Sequence, residues 1–193
     1  MRICFLYGND RALPLAEWLR TEGHVVVTYS EKITTLSEFD CNFDLLVSFT
    51  YRYYIPREVV DEVHGQAVNL HISYFPWNRG ADPNLWSWID NTPKGVTIHF
   101  VSEIIDDGDI IAQKITPMED SETLRTSYDK LMLDVMELFK QVFQVIPYWK
   151  QMRKRACSEG SYHYSRELGA VRDSIDFDLP VSKLISQLFG VVK

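Results

Sequence analysis

Short apolar runs alternate with helical patterns in the first part of the chain, and this alternation limits the fold more strongly than any other feature. Four runs predict strands: RICFLY at 2–7, HVVVTYS at 24–30, FDLLVSF at 43–49 and AVNLHIS at 67–73. A helical pattern at 13–19 and another from Pro56 to Val63 lie between them. Because the runs do not alternate polar with apolar residues, we expect both faces of each strand to be covered. The sequence therefore predicts an α/β fold with a doubly wound, mostly parallel sheet.

The rest of the chain adds two strands and two helices. A short helix is predicted at 85–89, and the strands GVTIHFV at 95–101 and DIIAQKI at 109–115 flank an acidic loop. A long helix is predicted from Ser121 onward, because its apolar residues recur at steps of three and four. These residues are Leu124, Tyr128, Leu131, Val135, Leu138, Val142 and Val145. The pattern weakens after Pro147, so we expect one domain at 1–147 and a C-terminal appendage at 148–193 that serves packing or oligomerisation, a homodimer being one option.

Charge, hydropathy and cysteine content disfavour several classes of partner. A formal net charge of −7 disfavours nucleic acid, since basic residues cluster only at 150–155. The chain has no apolar run of about 18 residues, and its start is typical of a buried strand rather than a secretory signal. We therefore expect a cytoplasmic protein with no membrane partner. Cys4, Cys41 and Cys157 are widely spaced and predict neither a disulfide framework nor a metal site.

Polar side chains follow the buried strands at the expected ligand-binding edge of the sheet. Asn69 and His71 are two residues apart on one strand, so their side chains share a face. In open α/β sheets, ligands bind at the carboxyl ends of the strands. The acidic turn at Asp106, Asp107 and Asp109 follows a strand that should pair nearby. The sequence therefore predicts that an amide, an imidazole and a carboxylate converge on one cleft.

These residues resemble a motif of the formyltransferase family, which includes glycinamide ribonucleotide, methionyl-tRNA and nucleotide-sugar enzymes. The family pattern of Asn-x-His, Ser, Pro, Arg-Gly, a strand and Asp-x-Gly corresponds to NLHISYFPWNRG at 69–80, VTIHFV at 96–101 and IDDGD at 105–109. The likeness covers residues 1 to about 145 in topology, with dense motif agreement at 66–115. It implies transfer of a formyl group from N10-formyltetrahydrofolate, with no metal, and makes Asn69, His71 and Asp106 the catalytic residues.

The chemistry of formyl transfer gives each of these side chains a role. An amine that attacks a formyl carbon generates a tetrahedral oxyanion, which needs a fixed hydrogen-bond donor such as the Asn69 amide. His71 can donate to the same oxygen if it is protonated, or accept the proton of the amine if it is neutral, and Asp106 can orient its ring and favour its charged form. Asp107 and Asp109 are interpreted as ordinary turn residues. His99 is interpreted as a packing residue or as a partner of another site residue, and His163 is given little weight.

The resemblance also indicates where the folate would bind. Residues 51–54 follow the third strand, in the loop where family members hold the pterin with main-chain groups, and we assign folate binding to Tyr51, Arg52, Tyr53, Tyr54 and Glu103. The first turn, YGNDRALP at 7–14, contains a single glycine. It matches neither a dinucleotide fingerprint nor a P-loop, and it differs from the Gly/Ser-rich turn with which purine-pathway formyltransferases hold a phosphate.

The sugar enzymes of the family give the acceptor prediction. The stretch NRGADPN at 78–84 and the aromatic residues after it resemble their motif loop, whereas methionyl-tRNA enzymes add a basic C-terminal barrel domain. We therefore predict a nucleotide-linked amino-dideoxy sugar as acceptor, in the biosynthesis of surface polysaccharide such as O-antigen. The predicted acceptor-binding residues are Tyr74, Trp77, Asn78, Arg79 and Lys94.

Alternatives stay open for both the reaction and the motif loop. A glycinamide ribonucleotide formyltransferase or a formyltetrahydrofolate hydrolase would keep the three catalytic residues and change the acceptor pocket. A non-catalytic folate- or nucleotide-binding module on the same fold is a further alternative. Within the loop, we expect Arg79 and Gly80 to open the next helix, with Gly80 allowing a close approach of the backbone.

Overall fold

The computed structural model describes residues 1–34, 42–152, 154 and 159–190. Cys41 and Cys157 lie outside these ranges, and Cys4 is a buried free thiol. Burial raises the pKa of the Cys4 thiol, so the side chain stays protonated and packs as a small apolar residue. In the part of the chain that the structure describes, no helix is long and apolar enough to cross a membrane.

Six strands form the main sheet, as the sequence predicts. They are β1 (Arg2–Tyr7), β2 (Val25–Tyr29), β3 (Leu45–Phe49), β4 (Ala67–His71), β6 (Gly95–Phe100) and β7 (Ile110–Ile115), in the spatial order β2-β1-β3-β4-β6-β7. The first four pair in parallel, while β6 runs antiparallel to both β4 and β7. The mostly parallel α/β architecture is therefore confirmed, with an antiparallel edge added after β4.

Helices cover both faces of this sheet. Alternate residues of β1 belong to different apolar clusters: Ile3 and Phe5 pack on the side of α1 (Leu13–Thr21) and α4 (Leu124–Phe143), whereas Cys4 and Leu6 pack on the side of α2 (Arg57–Glu62). Burial on both faces explains why the strand sequences do not alternate in polarity. Two layers of core therefore hold the strands at fixed positions.

The long helix α4 has a clear start and a buried stripe. Thr123 precedes it and forms a capping box with Thr126, which satisfies free N–H groups of the first turn. Leu131, Val135 and Leu138 are buried on its inner face, as the spacing predicts.

The helix α3 (Pro83–Ile89) begins with proline in its first turn, where the missing N–H costs nothing.

A second, two-stranded sheet joins distant parts of the chain. Strand β5 (Arg79–Gly80) pairs in parallel with β8 (Tyr162–His163). The prediction that Arg79 and Gly80 open the next helix is therefore wrong, because their backbone is extended against β8 and α3 begins only at Pro83. Strand β8 was not predicted, because two residues are too few to show a periodic pattern.

Residues beyond 147 pack against the earlier part of the chain at two places. The short helix α5 (Trp149–Met152) inserts the fully buried Trp149 into the main core, where its indole N–H donates to the Val142 carbonyl at 2.7 Å. Helix α6 (Val181–Phe189) packs Leu184 against a cluster that includes Leu85 and Leu124. The C-terminal segment is thus continuous with the body of the protein.

Candidate active site

A cavity of about 1000 Å³ opens at the carboxyl ends of β3 and β4. Its walls come from the loop after β3, the end of β4, the turn after β6, the start of α4 and residues 162–165. This volume lies at the upper end of the range of small-molecule pockets, about 300–1000 Å³, so there is room for two ligands side by side. The predicted catalytic residues Asn69, His71 and Asp106 all lie on its wall.

The structure brings these three side chains into one hydrogen-bonded cluster. The Asn69 amide nitrogen donates to Asp106 Oδ1 at 3.1 Å, and His71 Nδ1 lies 3.4 Å from Asp106 Oδ2. Asp106 Oδ2 also accepts from the Gly80 backbone N–H at 3.0 Å. The second ring nitrogen of His71 lies 3.2 Å from the Asn78 carbonyl oxygen. The Asp106 carboxylate therefore fixes the Asn69 and His71 side chains relative to the loop that contains Asn78 and Gly80.

A fourth polar side chain, His99, completes the cluster. It stands directly opposite Asn69 in the antiparallel pair of β4 and β6, and its Nε2 lies 3.1 Å from the Asn69 amide nitrogen and 3.5 Å from Asp106 Oδ1. Its Nδ1 lies 2.9 Å from the Phe100 carbonyl, which can only accept a hydrogen bond. The interpretation of His99 as a partner of another site residue is confirmed.

Burial and charge set the protonation of the two central groups. Burial lowers the pKa of His71, although the neighbouring Asp106 carboxylate opposes this effect. For Asp106, burial alone would raise the pKa, but His71, His99 and the Gly80 N–H outweigh it and hold the pKa well below its ordinary value. Near neutral pH the site therefore contains a carboxylate beside a neutral imidazole that can accept a proton.

This balance predicts how the His71 ring titrates. We expect its midpoint to lie below the ordinary value of 6.5, and to fall further in Asp106→Asn, because that variant loses the charge that favours imidazolium. NMR titration of the ring signals measures both values without any substrate. Asp107→Asn is the matched control and should leave the midpoint unchanged. A midpoint that rises in Asp106→Asn would show that another group dominates.

The turn that carries Asp106 depends on its backbone geometry. Asp106 has φ +55°, in the left-handed region that few residues other than Gly, Asn and Asp adopt. Gly108 follows two residues later, and a Cβ there would lie 1.7 Å from the Phe100 carbonyl oxygen. Only glycine fits this close approach, which folds the turn back over the end of β6.

Most of the predicted folate residues lie on the cavity wall. Tyr51, Arg52, Tyr53 and Tyr54 line it directly after β3. Glu103 does not; its carboxylate binds the Arg57 guanidinium at 2.9 Å, and its side chain is 71% exposed. The structure thus places four of the five predicted residues together and puts Glu103 on the outer surface.

The predicted acceptor residues occupy other places. None of Tyr74, Trp77, Asn78, Arg79 and Lys94 lines the cavity. The fully buried Asn78 donates its amide N–H to Thr92 Oγ1 at 2.6 Å, and the Lys94 ammonium donates to the Ser87 and Thr92 carbonyls at 2.8 and 2.9 Å. The Arg79 guanidinium binds the Asp107 carboxylate. These contacts engage the polar groups of Asn78, Arg79 and Lys94 within the protein, and their role in acceptor binding stays a prediction.

Several charged and aromatic residues that the sequence did not single out line the cavity instead. Arg11 and Tyr128 line the cavity, with the guanidinium 5.4 Å from the centre of the Tyr128 ring. Arg125 and Arg172 line it too and bind the carboxylates of Asp178 and Asp82. Tyr162, Tyr164 and Phe177 also line the wall. The aromatic run YHY at 162–164 could have indicated a binding surface. The arginines could not, because they are far apart in the sequence.

The described residues offer no metal centre. Within 1–34, 42–152, 154 and 159–190, no group of three or more His, Cys, Asp or Glu side chains is placed to hold a metal ion. Asn69, His71 and Asp106 present the donor and acceptor groups that proton transfer and hydrogen bonding of a reacting oxygen need.

Comparisons with known proteins find similar sequences and a similar solved structure. A sequence profile described as formyl transferase matches residues 27–142. The methionyl-tRNA formyltransferase of Listeria monocytogenes is 28% identical over 193 residues, 95% of this chain and 61% of that protein. The dTDP-4-amino-4,6-dideoxyglucose formyltransferase of Mycobacterium tuberculosis is 30% identical over 143 residues, 74% of this chain and 59% of that protein. The chain thus spans about three fifths of the length of these curated relatives.

One solved structure is similar over its whole length. The crystal structure of the formyltransferase PseJ from Anoxybacillus kamchatkensis, in complex with UDP-4,6-dideoxy-4-formamido-L-AltNAc and tetrahydrofolate, superimposes with a TM-score of 0.85 and 34% identity. The match covers 97% of this chain and 100% of that chain.

Proposed function

Because the chain belongs to the formyl transferase family, we propose that it transfers the formyl group of N10-formyltetrahydrofolate to the amine of a nucleotide-linked amino-dideoxy sugar. The observation that carries this proposal is the Asn69–His71–Asp106 cluster on the wall of a cavity that is also lined by aromatic side chains and arginines. The similarity to PseJ, whose structure contains a reduced folate and a formamido sugar nucleotide, supports the same pair of ligands.

The region beside β3 suits the folate. Tyr53 and Tyr54, half exposed at 44% and 48%, stand at its rim with the exposed Ile104 and Ile105, and all four line the cavity. Aromatic and aliphatic surface of this kind can pack against a pterin ring or the aromatic ring attached to it. The resemblance implies that backbone groups of the loop at 51–54 bind the polar edge of the pterin.

The region beside α4 suits a nucleotide sugar. Arg11, Arg125 and Arg172 put three guanidinium groups on this wall, and each retains donors beyond those that bind its carboxylate partner. A diphosphate forms charge-assisted hydrogen bonds with such groups. Tyr162 and Tyr164, whose rings are 5.0 Å apart, supply aromatic faces for a base or a sugar.

The cluster can perform direct transfer between these ligands. The acceptor amine attacks the formyl carbon, its electron pair forms the new C–N bond, and the formyl oxygen becomes an oxyanion. Neutral His71 takes the proton that the amine loses, and Asp106 stabilises the resulting imidazolium. Collapse of the intermediate breaks the bond to N10 of the folate, which leaves as it takes up that proton. No covalent enzyme intermediate is required.

Asn69 must change partners to stabilise the oxyanion. Acceptors lie 3.1 Å from its amide nitrogen on two sides, at Asp106 Oδ1 and His99 Nε2, and these can occupy both of its N–H groups. We propose that the formyl oxygen replaces one of these partners when the folate binds. Asp106 tolerates this exchange, because Gly80 and His71 still hold its other oxygen.

The acceptor prediction is tested with a panel of amines. We expect formyl transfer to uridine- or thymidine-diphosphate amino sugars, while glycinamide ribonucleotide and methionyl-tRNA remain unmodified. Mass spectrometry of the acceptor after incubation with N10-formyltetrahydrofolate measures this. Efficient use of either rival acceptor, with every sugar inert, would overturn the acceptor assignment. Formate release without any acceptor would instead indicate the hydrolase, and tight folate binding without turnover would indicate a binding module.

A further inference from the structure

Residues 161–163, the C-terminal segment, hold residues 76–81, the motif loop, through hydrogen bonds to the backbone of that loop. The Asn78 N–H donates to Ser161 Oγ at 2.8 Å, the Arg79 N–H donates to the Ser161 carbonyl at 3.1 Å, and the Ala81 N–H donates to the His163 carbonyl at 2.9 Å. The Ser161 N–H in turn donates to the Pro76 carbonyl at 3.2 Å. Residues 161–163 thus act as a second strand along 76–81.

The same loop residues hold the catalytic side chains. The Asn78 carbonyl contacts the His71 ring, and the Gly80 N–H donates to Asp106. Asn78 is bound by Ser161 directly, and Gly80 lies between two residues whose N–H groups donate to the C-terminal segment. The position of this segment therefore sets the distance from the loop to both His71 and Asp106.

One side chain anchors the segment to the body of the protein. The His163 ring stacks on the Trp86 ring, with centroids 4.0 Å apart and planes inclined by 4°. Its Nε2 lies 2.9 Å from Asp90 Oδ2, and its Nδ1 lies 3.1 Å from Glu167 Oε2. The His163 side chain is only 11% exposed, and the three partners do not line the cavity. The ring thus connects β8 to α3, and His163 lies on the cavity wall while its three partners lie off it.

We propose that His163 is a positioning residue for the catalytic cluster. By fixing β8 against Trp86 and Asp90, it keeps the Asn78 carbonyl and the Gly80 N–H at the distances that orient His71 and Asp106. Loss of this anchor lets the motif loop shift, and a shift of about 1 Å at reacting groups can lower a rate about a hundredfold. The expected loss of rate, the kinetic part of this inference, rests on the proposed function. The expected shift of the loop, the geometric part, does not.

The geometric part is tested by NMR without substrate. In Asp90→Asn and His163→Leu, we expect the chemical shifts of the Gly80 and Asn78 amide groups to change. The Gly80 amide signal should move toward the chemical shift of an N–H group that no longer binds a carboxylate. His163→Gln can keep a donor toward Asp90 and should restore part of the shift. Asp134→Asn is the matched control, since it removes a carboxylate that binds Lys114 and Thr116 far from the cavity.

The kinetic part uses the same variants. We expect kcat to fall about tenfold to a hundredfold in Asp90→Asn, with the KM for folate unchanged and Asp134→Asn at the wild-type rate. Unmoved Gly80 and Asn78 signals in folded Asp90→Asn and His163→Gln would overturn the inference even if the wild type is active. Shifted signals in a protein that transfers no formyl group would uphold the geometry and remove the proposed function instead.

Discussion

Replacing Asp106 with asparagine is expected to lower kcat at least about a hundredfold, the usual effect of losing proton-transfer or oxyanion assistance. Asparagine keeps the shape of the side chain but loses the charge that stabilises the His71 imidazolium. His71→Asn should cost as much, because it removes the group that accepts the proton. Steady-state kinetics with N10-formyltetrahydrofolate and the best acceptor of the panel measures both.

Two controls separate a catalytic effect from a structural one. Asp107→Asn changes the neighbouring carboxylate, which is 40% exposed and binds the mostly buried Arg79 guanidinium, and we expect kcat to fall far less than in Asp106→Asn. Folate affinity should be retained in His71→Asn and Asp106→Asn. It is measured from the change in protein fluorescence as folate is added. Near wild-type turnover in either folded variant would remove that residue from the mechanism.

Gly80→Val is expected to lower the free energy of unfolding by about 2–5 kcal/mol and to abolish most of the activity, since it combines backbone strain with a steric clash. Gly80 has φ +87°, and a Cβ there would lie 2.3 Å from the His163 carbonyl oxygen. The clash separates β5 from β8 and displaces the N–H that holds Asp106. Urea denaturation gives the stability, and kinetics below the transition give the activity of the folded fraction.

Gly23→Val provides a control with the same backbone strain and no clash. Gly23 has φ +86°, and nothing lies within 4 Å of a Cβ built there. We expect this variant to lose about 1–2 kcal/mol of stability and to keep its kcat. Equal stability and equal activity of the two variants would show that the approach of β8 to Gly80 is unimportant.

The core of the site was predictable from sequence because it lies on regular elements. Asn69 and His71 share a face of β4, a consequence of the two-residue repeat of any strand, and β4 ends at the expected edge of the sheet. The assignment of Asp106 came from the resemblance of its turn. The contact of His99 with Asn69 could not be derived, because it requires β6 to run antiparallel to β4 in one particular register.

The acceptor side of the cavity was less predictable for a physical reason. Side chains in the motif loop have directions fixed by partners far along the chain, such as Asn78 by Ser161. Lys94 was expected to face a diphosphate, yet its ammonium group finds backbone carbonyls inside the protein. A loop sequence specifies composition, while the direction of each side chain depends on contacts that become known only with the fold.

The pairing of β5 with β8 makes completion of the site a late event during synthesis on the ribosome. Strands β1 to β7 and helix α4 precede residue 144, so the main sheet can form while the residues after 144 are still being made. Ser161 and His163, which bind the motif loop, emerge only afterwards. A nascent chain that has already folded its sheet would therefore carry Asn69, His71 and Asp106 but lack the backbone contacts that align them. Catalytic competence would appear only after residues 161–163 have been made and have paired with β5.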